Sequence, residues 1–325
     1  QGIKSKDKSV KSKFKIMLFG LGSIGMRHAR LLRDNFRHEL FAFRSRISPK
    51  GNSLGIKEVY TWKEVEEIAP QVAFITNPTF LHVPTALRCA KSGMHLFIEK
   101  PIGSGYEGLV QLLNIVNKKR LSSYVAYCLR FHPVIIRLKE ICKYDMPVHT
   151  TVVCGSYLPK WRLPEDYMSG YSARKSSGGG VVFDLSHEFD YINYLFGEVT
   201  DMQGAFGKLS DLRIDSEDYT DIIMRCPKTA VNLHLDYFSK TPQRWIKVNF
   251  KSADHAEGDL VNNELRMYSG GRLKKYKYRF KRDDMYLKQL KYFFLNIGNH
   301  RMMNNLGEAA GLFKKIVGFK KKYGR

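Results

Sequence analysis

A chain of 325 residues with 54 Lys and Arg against 31 Asp and Glu carries a formal net charge of +23, and 43% of it is hydrophobic. This composition excludes a disordered or fibrous chain and leaves room for two domains with a core each, while no apolar run approaches the roughly 20 residues that span a bilayer. Cys89, Cys128, Cys142, Cys154 and Cys226 form no CxxC pair, which argues against a disulfide framework and a metal site and fits a reducing cytoplasm.

Residues 1–13, QGIKSKDKSVKSK, read as a basic flexible tail without the apolar stretch of a signal peptide. From residue 14 to about 130, short apolar runs alternate with helical spacing. FKIMLFG (14–20) reads as a strand, SIGMRHARLLRDNF (23–36) as a helix and ELFAFRS (39–45) as a strand. A weaker strand at EVY leads into a helix that Thr61 caps, with Glu64 three positions on. QVAFITN, HLFIEKP and SYVAYCLR follow as strands, with the helices FLHVPTALRCAKSG and YEGLVQLLNIVNKK between them. The alternation implies right-handed βαβ crossovers, hence an N-terminal α/β Rossmann domain over 14–130 with a doubly wound parallel sheet.

From residue 131 the rhythm changes. The helix PVIIRLKEICK is followed by strand-like VHTTVVCGSYL, a loop rich in Trp, Arg and Tyr (160–177), and GGGVVFDLSHEFDYINYLFG, glycines running into a helix. DMQGAFGKL, YTDIIMRC, AVNLHLDYFS, RWIKVNFK, DLVNNELRMYS and LKKYKYRF then read as consecutive strands. Residues 131–325 are therefore expected to form a C-terminal α+β domain with an open, mostly antiparallel sheet. The closing helices, DDMYLKQLKYFFLNIG and LGEAAGLFKKIVGFKKK, can pack back on the first domain. The segment RLKKYKYRFKR interleaves basic and aromatic residues as nucleic-acid surfaces do. No helix-turn-helix, RNP-like or finger pattern accompanies it, so a strand with one wet face is expected, without a nucleic-acid or membrane partner.

The first strand runs into GLGSIG, a GxGxxG at Gly20, Gly22 and Gly25, with Ser23 and Ile24 opening the helix. In that setting the glycines allow a tight turn and close backbone approach, and the helix N-terminus offers N–H groups and its dipole to a pyrophosphate. An NAD-preferring site would carry an acid at the end of the second strand; this chain has Arg44, Ser45 and Arg46. Two guanidiniums and a hydroxyl suit a 2′-phosphate, so NADP is expected ahead of NAD. The alternative is that both arginines are surface residues and either cofactor is accepted.

ITNPTFLHVPTALRCAKSGMHLFIEKPIG (75–103) brings Glu99, Lys100 and Pro101 to the carboxyl end of a predicted parallel strand, beyond which ligands of doubly wound sheets sit. Packing explains a lysine there poorly. Taken with GLGSIG and the GGG…H segment, the chain from about Phe14 onward resembles the glucose–fructose oxidoreductase/inositol dehydrogenase/MocA family. The resemblance implies an active site in the cleft between the two domains and oligomer contacts, in a homodimer or homotetramer, through the open sheet. It implies Asn77, Pro78, Thr79, His82 and Glu99 near the cofactor, Lys100 near the nicotinamide and the reacting carbon, and His187 as acid or base on the substrate hydroxyl. Substrates of the family are sugars, cyclitols or sugar nucleotides.

The chemistry is independently reasonable. Oxidising a secondary alcohol requires a base, and histidine titrates near working pH; Lys100 can donate to the oxygen as charge develops. Asp184 and Asp190, at i−3 and i+3 on one helical face, are candidates to orient His187. Many family members place the acid four residues before the histidine, whereas DLSH has three. This spacing is similar to a branch found in surface-polysaccharide and acylated-sugar biosynthesis. In KWRLPEDYMSGYSARK, Trp161, Arg162, Tyr167, Tyr171 and Arg174 suit a sugar bearing a phosphate or carboxylate; an interdomain or subunit-contact loop reads equally well. His28 and His82 read as helix-end or cofactor-adjacent residues and Glu99 as a buttress. The expected activity is nicotinamide-dependent oxidation or reduction of a sugar. The alternatives are a redox-neutral glycosidase- or epimerase-like member that retains its cofactor, and a non-catalytic NADP-binding sensor or scaffold.

Overall fold

A computed structural model describes residues 13–46, 51–161 and 166–324; the basic stretch ahead of Lys13 lies outside them. The chain divides into two compact units that interleave in sequence. The first holds residues up to 102 together with 107–126 and 286–308, the second 103–106, 127–285 and the residues from 309 on.

The first unit is built from β1 (Lys15–Phe19), α1 (Ser23–Asn35), β2 (Glu39–Phe43), β3 (Lys57–Val59), α2 (Trp62–Ile68), β4 (Val72–Ile75), α3 (His82–Lys91), β5 (His95–Ile98), α4 (Leu109–Lys118) and β6 (Ser123–Val125). Its six strands lie in the order β3-β2-β1-β4-β5-β6, and every pairing is parallel. Helices cover both faces of such a sheet, which is why the strands are near-continuous apolar runs. Ile16, Met17 and Leu18 of β1 and all four residues of β4 are 0% exposed. The strand order reverses between β1 and β4, and that switch point opens a crevice at the strands' carboxyl ends. Thr61 and Glu64 form a reciprocal capping box at α2.

The second unit contains α5 (Pro133–Tyr144), β7 (Pro147–Gly155), α6 (Val181–Asp184), α7 (His187–Phe196), β8 (Asp201–Gly207), β9 (Tyr219–Cys226), β10 (Thr229–Asp236), β11 (Gln243–Phe250), β12 (His255–Asp259), β13 (Glu264–Ser269) and β14 (Arg272–Lys277). The eight strands are ordered β14-β13-β12-β11-β7-β10-β9-β8. All neighbours are antiparallel except β7 and β10. One face is apolar by strict alternation: Val152, Val231, Leu233, Ile246 and Val248 are buried there. Two helices close the chain. In α8 (Arg282–Leu295), residues from Tyr286 on belong to the first unit, where Phe293 packs edge-on to Phe74 and Phe97. In α9 (Leu306–Tyr323), residues from Ala309 on belong to the second.

Three local readings are corrected. SYVAYCLR is a strand only to Val125, after which a 3-10 turn, Cys128–Phe131, lifts Tyr127 and Arg130 out of the sheet. DLVNNELRMYS is not one strand: its start ends β12, a left-handed Asn263 (φ +55) reverses the chain, and β13 follows. The helix expected after the triple glycine is two helices, α6 and α7, with Leu185 and Ser186 between them.

On the other face of the second sheet, His234 stands between two carboxylates, with Nδ1 2.7 Å from Asp221 Oδ1 and Nε2 3.3 Å from Asp236 Oδ2. Asp236 first, and then Asp221, push its pKa up from 6.5 to about 9. Because the folded-state value is the higher one, the stabilisation is whole below pH 6.5 and is lost as pH rises through about 9. Urea unfolding at the two ends of that window is expected to show a stability loss in the native chain that His234→Asn reduces. An equal loss in both proteins would remove His234 as its source.

Candidate active site

β1 runs straight into the glycine loop. Gly20 has φ +105, and a Cβ on it would stand 2.9 Å from the backbone N and Cα of Asn77. A Cβ on Gly25 would run into the Gly20 carbonyl oxygen and come within 2.9 Å of Thr76 Oγ1, which donates to that same carbonyl at 2.7 Å. The loop is thus packed against the end of β4, at the switch point. Gly22 differs: a Cβ there would meet no protein atom within 4 Å. Its open side is where a ligand backbone can approach. The first helical hydrogen bond of α1 runs from Met26 N–H to the Gly22 carbonyl, 2.9 Å. The N–H groups of Ser23, Ile24 and Gly25 precede it and open toward the crevice end of the helix, where the dipole favours a pyrophosphate. This cradle fits a dinucleotide.

The residues expected beside the cofactor come together at the carboxyl ends of β4 and β5. Asn77 Nδ2 donates to Thr85 Oγ1 at 2.8 Å, and Pro78 precedes the short turn Thr79–Leu81 that leads into α3. His82 is 2% exposed, with Nδ1 2.8 Å from the Pro101 carbonyl and Nε2 2.9 Å from that of Asn77. Glu99 is 7% exposed; its Oε1 lies 2.7 Å from His28 Nε2, and its Oε2 accepts from the Lys100 backbone N–H at 3.2 Å. Lys100 joins Pro101 through a cis peptide.

At the end of β2, the Arg44 guanidinium lies 3.1 Å from Glu58 Oε1. Glu58 also accepts from Asn52 Nδ2 at 2.9 Å and from Tyr60 OH at 2.8 Å. Burial pushes this carboxyl up, but the donors Asn52, Tyr60 and Arg44 more than offset that and leave it below its ordinary value. The second strand carries no acid at its carboxyl end. The register Ala42↔Glu58 brings one in from the third, which a reading of the second strand alone misses. Ser45 and Arg46 are exposed on the bend that follows.

In the second unit, His187 opens α7. Ser186 N–H bonds the Phe183 carbonyl and Glu188 N–H the Leu185 carbonyl, both 3.3 Å, so the backbone makes a tight turn between α6 and α7. Asp184 and His187 therefore do not share the face of one helix. Asp184 Oδ2 instead accepts from Tyr237 OH at 2.7 Å, and Trp161 meets the Tyr237 ring edge-on at 5.2 Å. Burial, and then the Asp184 charge, push the Tyr237 pKa well up, which keeps the phenol a donor. The ring of His187 meets that of Tyr127 edge-to-face at 5.7 Å.

The acids of α7 are committed to arginines. Asp190 accepts from Arg130 Nη2 at 2.7 Å and Nε at 2.9 Å, and Glu188 Oε1 lies 2.8 Å from Arg244 Nε. The turn ahead of these helices is equally fixed. Gly180 has φ +112, and a Cβ on it would run into the Glu217 carboxylate, which is paired with Lys320 of α9. Tyr237, Arg130 and Tyr127 carry no motif of their own.

The aromatic and basic loop residues fall in two places. Trp161 donates through Nε1 to Ser156 Oγ at 3.0 Å and lies against Tyr237. Tyr167 OH accepts from Arg213 N–H at 3.2 Å. Arg174, Lys208 and Arg213, with Asp211 and Asp215, border a shallow cavity of about 580 Å³. Tyr171 opens the turn Tyr171–Ala173 and is half-buried. Arg162 lies outside the described residues. Among the described residues no group of three or more His, Cys, Asp or Glu is placed to hold a metal ion, and no helix is long and apolar enough to cross a membrane.

Two family models match. Residues 14–127 match the oxidoreductase family with an NAD-binding Rossmann fold, and residues 148–252 the GFO/IDH/MocA C-terminal domain. Among curated relatives, the myo-inositol 2-dehydrogenase of Thermotoga maritima is 24% identical over 60% of this chain and 58% of its own length. A 2,7-anhydro-N-acetylneuraminate hydratase of Escherichia coli is 22% identical over 41% of this chain and 35% of its own. The chain thus spans between a third and three-fifths of the length of these two relatives. In fold, it is similar to a UDP-N-acetylglucosamine 3-dehydrogenase from Acidithiobacillus ferrooxidans, with TM-score 0.80 and 19% identity over 96% of this chain and 98% of that one.

Proposed function

We propose that this chain, which belongs to the GFO/IDH/MocA oxidoreductase family and carries its NAD-binding Rossmann fold, transfers a hydride between a nicotinamide cofactor and a secondary alcohol or ketone of a sugar, sugar acid or nucleotide sugar. The observation that carries the reading is the cradle at the switch point: Gly20 and Gly25 packed onto Thr76 and Asn77, Gly22 open, and Lys100 at the end of the next strand. When bound, the nicotinamide supplies only a hydride acceptor or donor. The rest is the work of side chains. In the oxidative direction His187 takes the hydroxyl proton as hydride leaves carbon. The Lys100 ammonium donates a hydrogen bond to the oxygen, where it opposes the developing negative charge. In reduction His187 returns the proton. Trp161, Tyr167, Tyr171 and Arg174 are proposed to hold the sugar, with Arg162 as a further candidate. The test is a screen of acidic sugars and nucleotide sugars for turnover of NADP(H), with Lys100→Ala and His187→Ala as controls. Full activity in both variants would overturn the assignment.

We further propose NADP as the preferred cofactor, read through Arg44 and Arg46. Arg44 already shares Glu58, so a 2′-phosphate must compete with that carboxylate. Arg44→Asp is expected to lower the NADP-to-NAD affinity ratio by about 10- to 100-fold, the worth of one or two charge-assisted hydrogen bonds. Titration of both cofactors by fluorescence measures it, and an unchanged ratio would leave Arg44 a surface residue. A second reading, supported by the likeness to a hydratase, is a redox-neutral reaction through transient oxidation on a retained cofactor. It predicts sugar conversion without net change in the absorbance of the reduced nicotinamide.

A further inference from the structure

Two buried histidines have no part in the chemistry above, and both touch the residues that flank Lys100. His28 lies on α1, the helix that begins at the glycine loop, and is 0% exposed. Its ring sits edge-on to Phe74, Phe97 and Tyr286, at 5.8, 5.1 and 5.7 Å. Nε2 reaches Glu99 Oε1 at 2.7 Å. Glu99 uses its other oxygen to accept the Lys100 backbone N–H, so one carboxylate joins α1 to the backbone of Lys100. His82 works from the other side. Its Nδ1 faces the carbonyl of Pro101 and its Nε2 that of Asn77; a neutral ring has one N–H to donate, and in the tautomer that carries it on Nδ1 the ring ties the loop after β5 to α3.

We propose that His28 and His82 are positioning residues for Lys100: His28 fixes the residue before it through Glu99, and His82 fixes the residue after it through the Pro101 carbonyl. The ammonium then sits on a backbone held at both ends, and one of those holds comes from the same helix whose first turn receives the pyrophosphate. This inference rests on the oxidoreductase reading for its consequence in turnover, but not for its geometry. Burial lowers the His82 pKa, with the two carbonyls pulling the other way. The charged groups facing that ring are Glu99 and Lys100. His28 faces Glu99 within its aromatic surround.

The test uses amide stand-ins for each ring nitrogen. Glutamine places its NH₂ where Nε2 stands, asparagine where Nδ1 stands. At position 28 the working bond is made by Nε2, so His28→Gln is expected to retain activity and His28→Asn to lose it. At position 82 the bond to Pro101 is made by Nδ1, so the order reverses: His82→Asn retains and His82→Gln loses. The losing variants are expected to show kcat reduced about 10- to 100-fold with the cofactor KM little changed, as for a misplaced catalytic group. A purely space-filling role would give the same order at both positions and would overturn the proposal. A second readout needs no substrate. After reductive ¹³C-methylation, the Lys100 resonance, assigned by its absence in Lys100→Arg, is expected to shift in the losing variants and to stay in place in the retaining ones. If the resonances follow this order while no sugar turns over, the oxidoreductase reading fails and the positioning stands. If sugars turn over but the resonance ignores the substitutions, the positioning fails.

Discussion

Replacing His187 by alanine is expected to lower kcat about 10²- to 10⁴-fold, the range general acid–base catalysis supplies, while dinucleotide affinity stays unchanged. The two halves of the result separate because the residues involved lie in different units. The cradle of Gly20, Gly22 and Gly25 belongs to the first unit and His187 to the second. His187→Asn refines the test. Asparagine can donate and accept a hydrogen bond but cannot carry a proton across working pH, so a loss close to that of alanine identifies proton transfer. Recovery of most of the activity in His187→Asn would identify a substrate hydrogen bond instead. In either variant, steady-state turnover of the sugar identified by the screen, and fluorescence titration of NADP, give the two numbers.

Much of this frame was legible because the signals are local and repeated. Buried parallel strands must be continuously apolar, and β4 is so throughout and β1 and β5 after their first residue; a capping box needs only Thr61 and Glu64. What escaped lies in two places. β12 reads HAEGD: its inward residues are Ala256 and Gly258, too small to make an apolar pattern. Gly258 is there for close approach, since a Cβ on it would stand 2.5 Å from a Val134 methyl of α5. The other place is the set of partners reached across the fold. The spacing of Asp184 and Asp190 about His187 suggested two orienting acids on one helix. The break at Leu185 and Ser186 sends Asp184 to Tyr237, fifty-three residues away, and the 3-10 turn after β6 brings Arg130 to Asp190 across sixty. Helical arithmetic sees neither partner: the backbone leaves the helix between Asp184 and His187, and Asp190, on the same helix as His187, is taken by an arginine from outside that helix.

The Arg130–Asp190 pair also fixes where the effect of losing Asp190 will fall. Each side chain is 2% exposed, the contact is bidentate, and the guanidinium stands 4.8 Å from the Tyr194 ring centroid. Such a pair is costly to break because the remaining partner is left as a charge in an apolar interior. Arg130→Met is expected to cost roughly 3–5 kcal/mol, which at about 2–4 °C per kcal/mol for a unit of this size lowers its Tm by on the order of 10 °C. Removing both charges together, in Arg130→Met with Asp190→Leu, is expected to recover most of that loss, since an apolar replacement strands neither partner. Urea melts of the native chain, the single variants and the double variant give the coupling between the two positions. A single variant within about 1 kcal/mol of the native chain would place the pair in solvent rather than in the core. The double variant carries the functional half of the test. Both oxygens of Asp190 accept from Arg130, so its charge is already compensated. The pH dependence of turnover should therefore survive in the double variant with its His187 limb little moved. A limb displaced toward acid would make Asp190, through its field rather than through contact, a stabiliser of the His187 imidazolium.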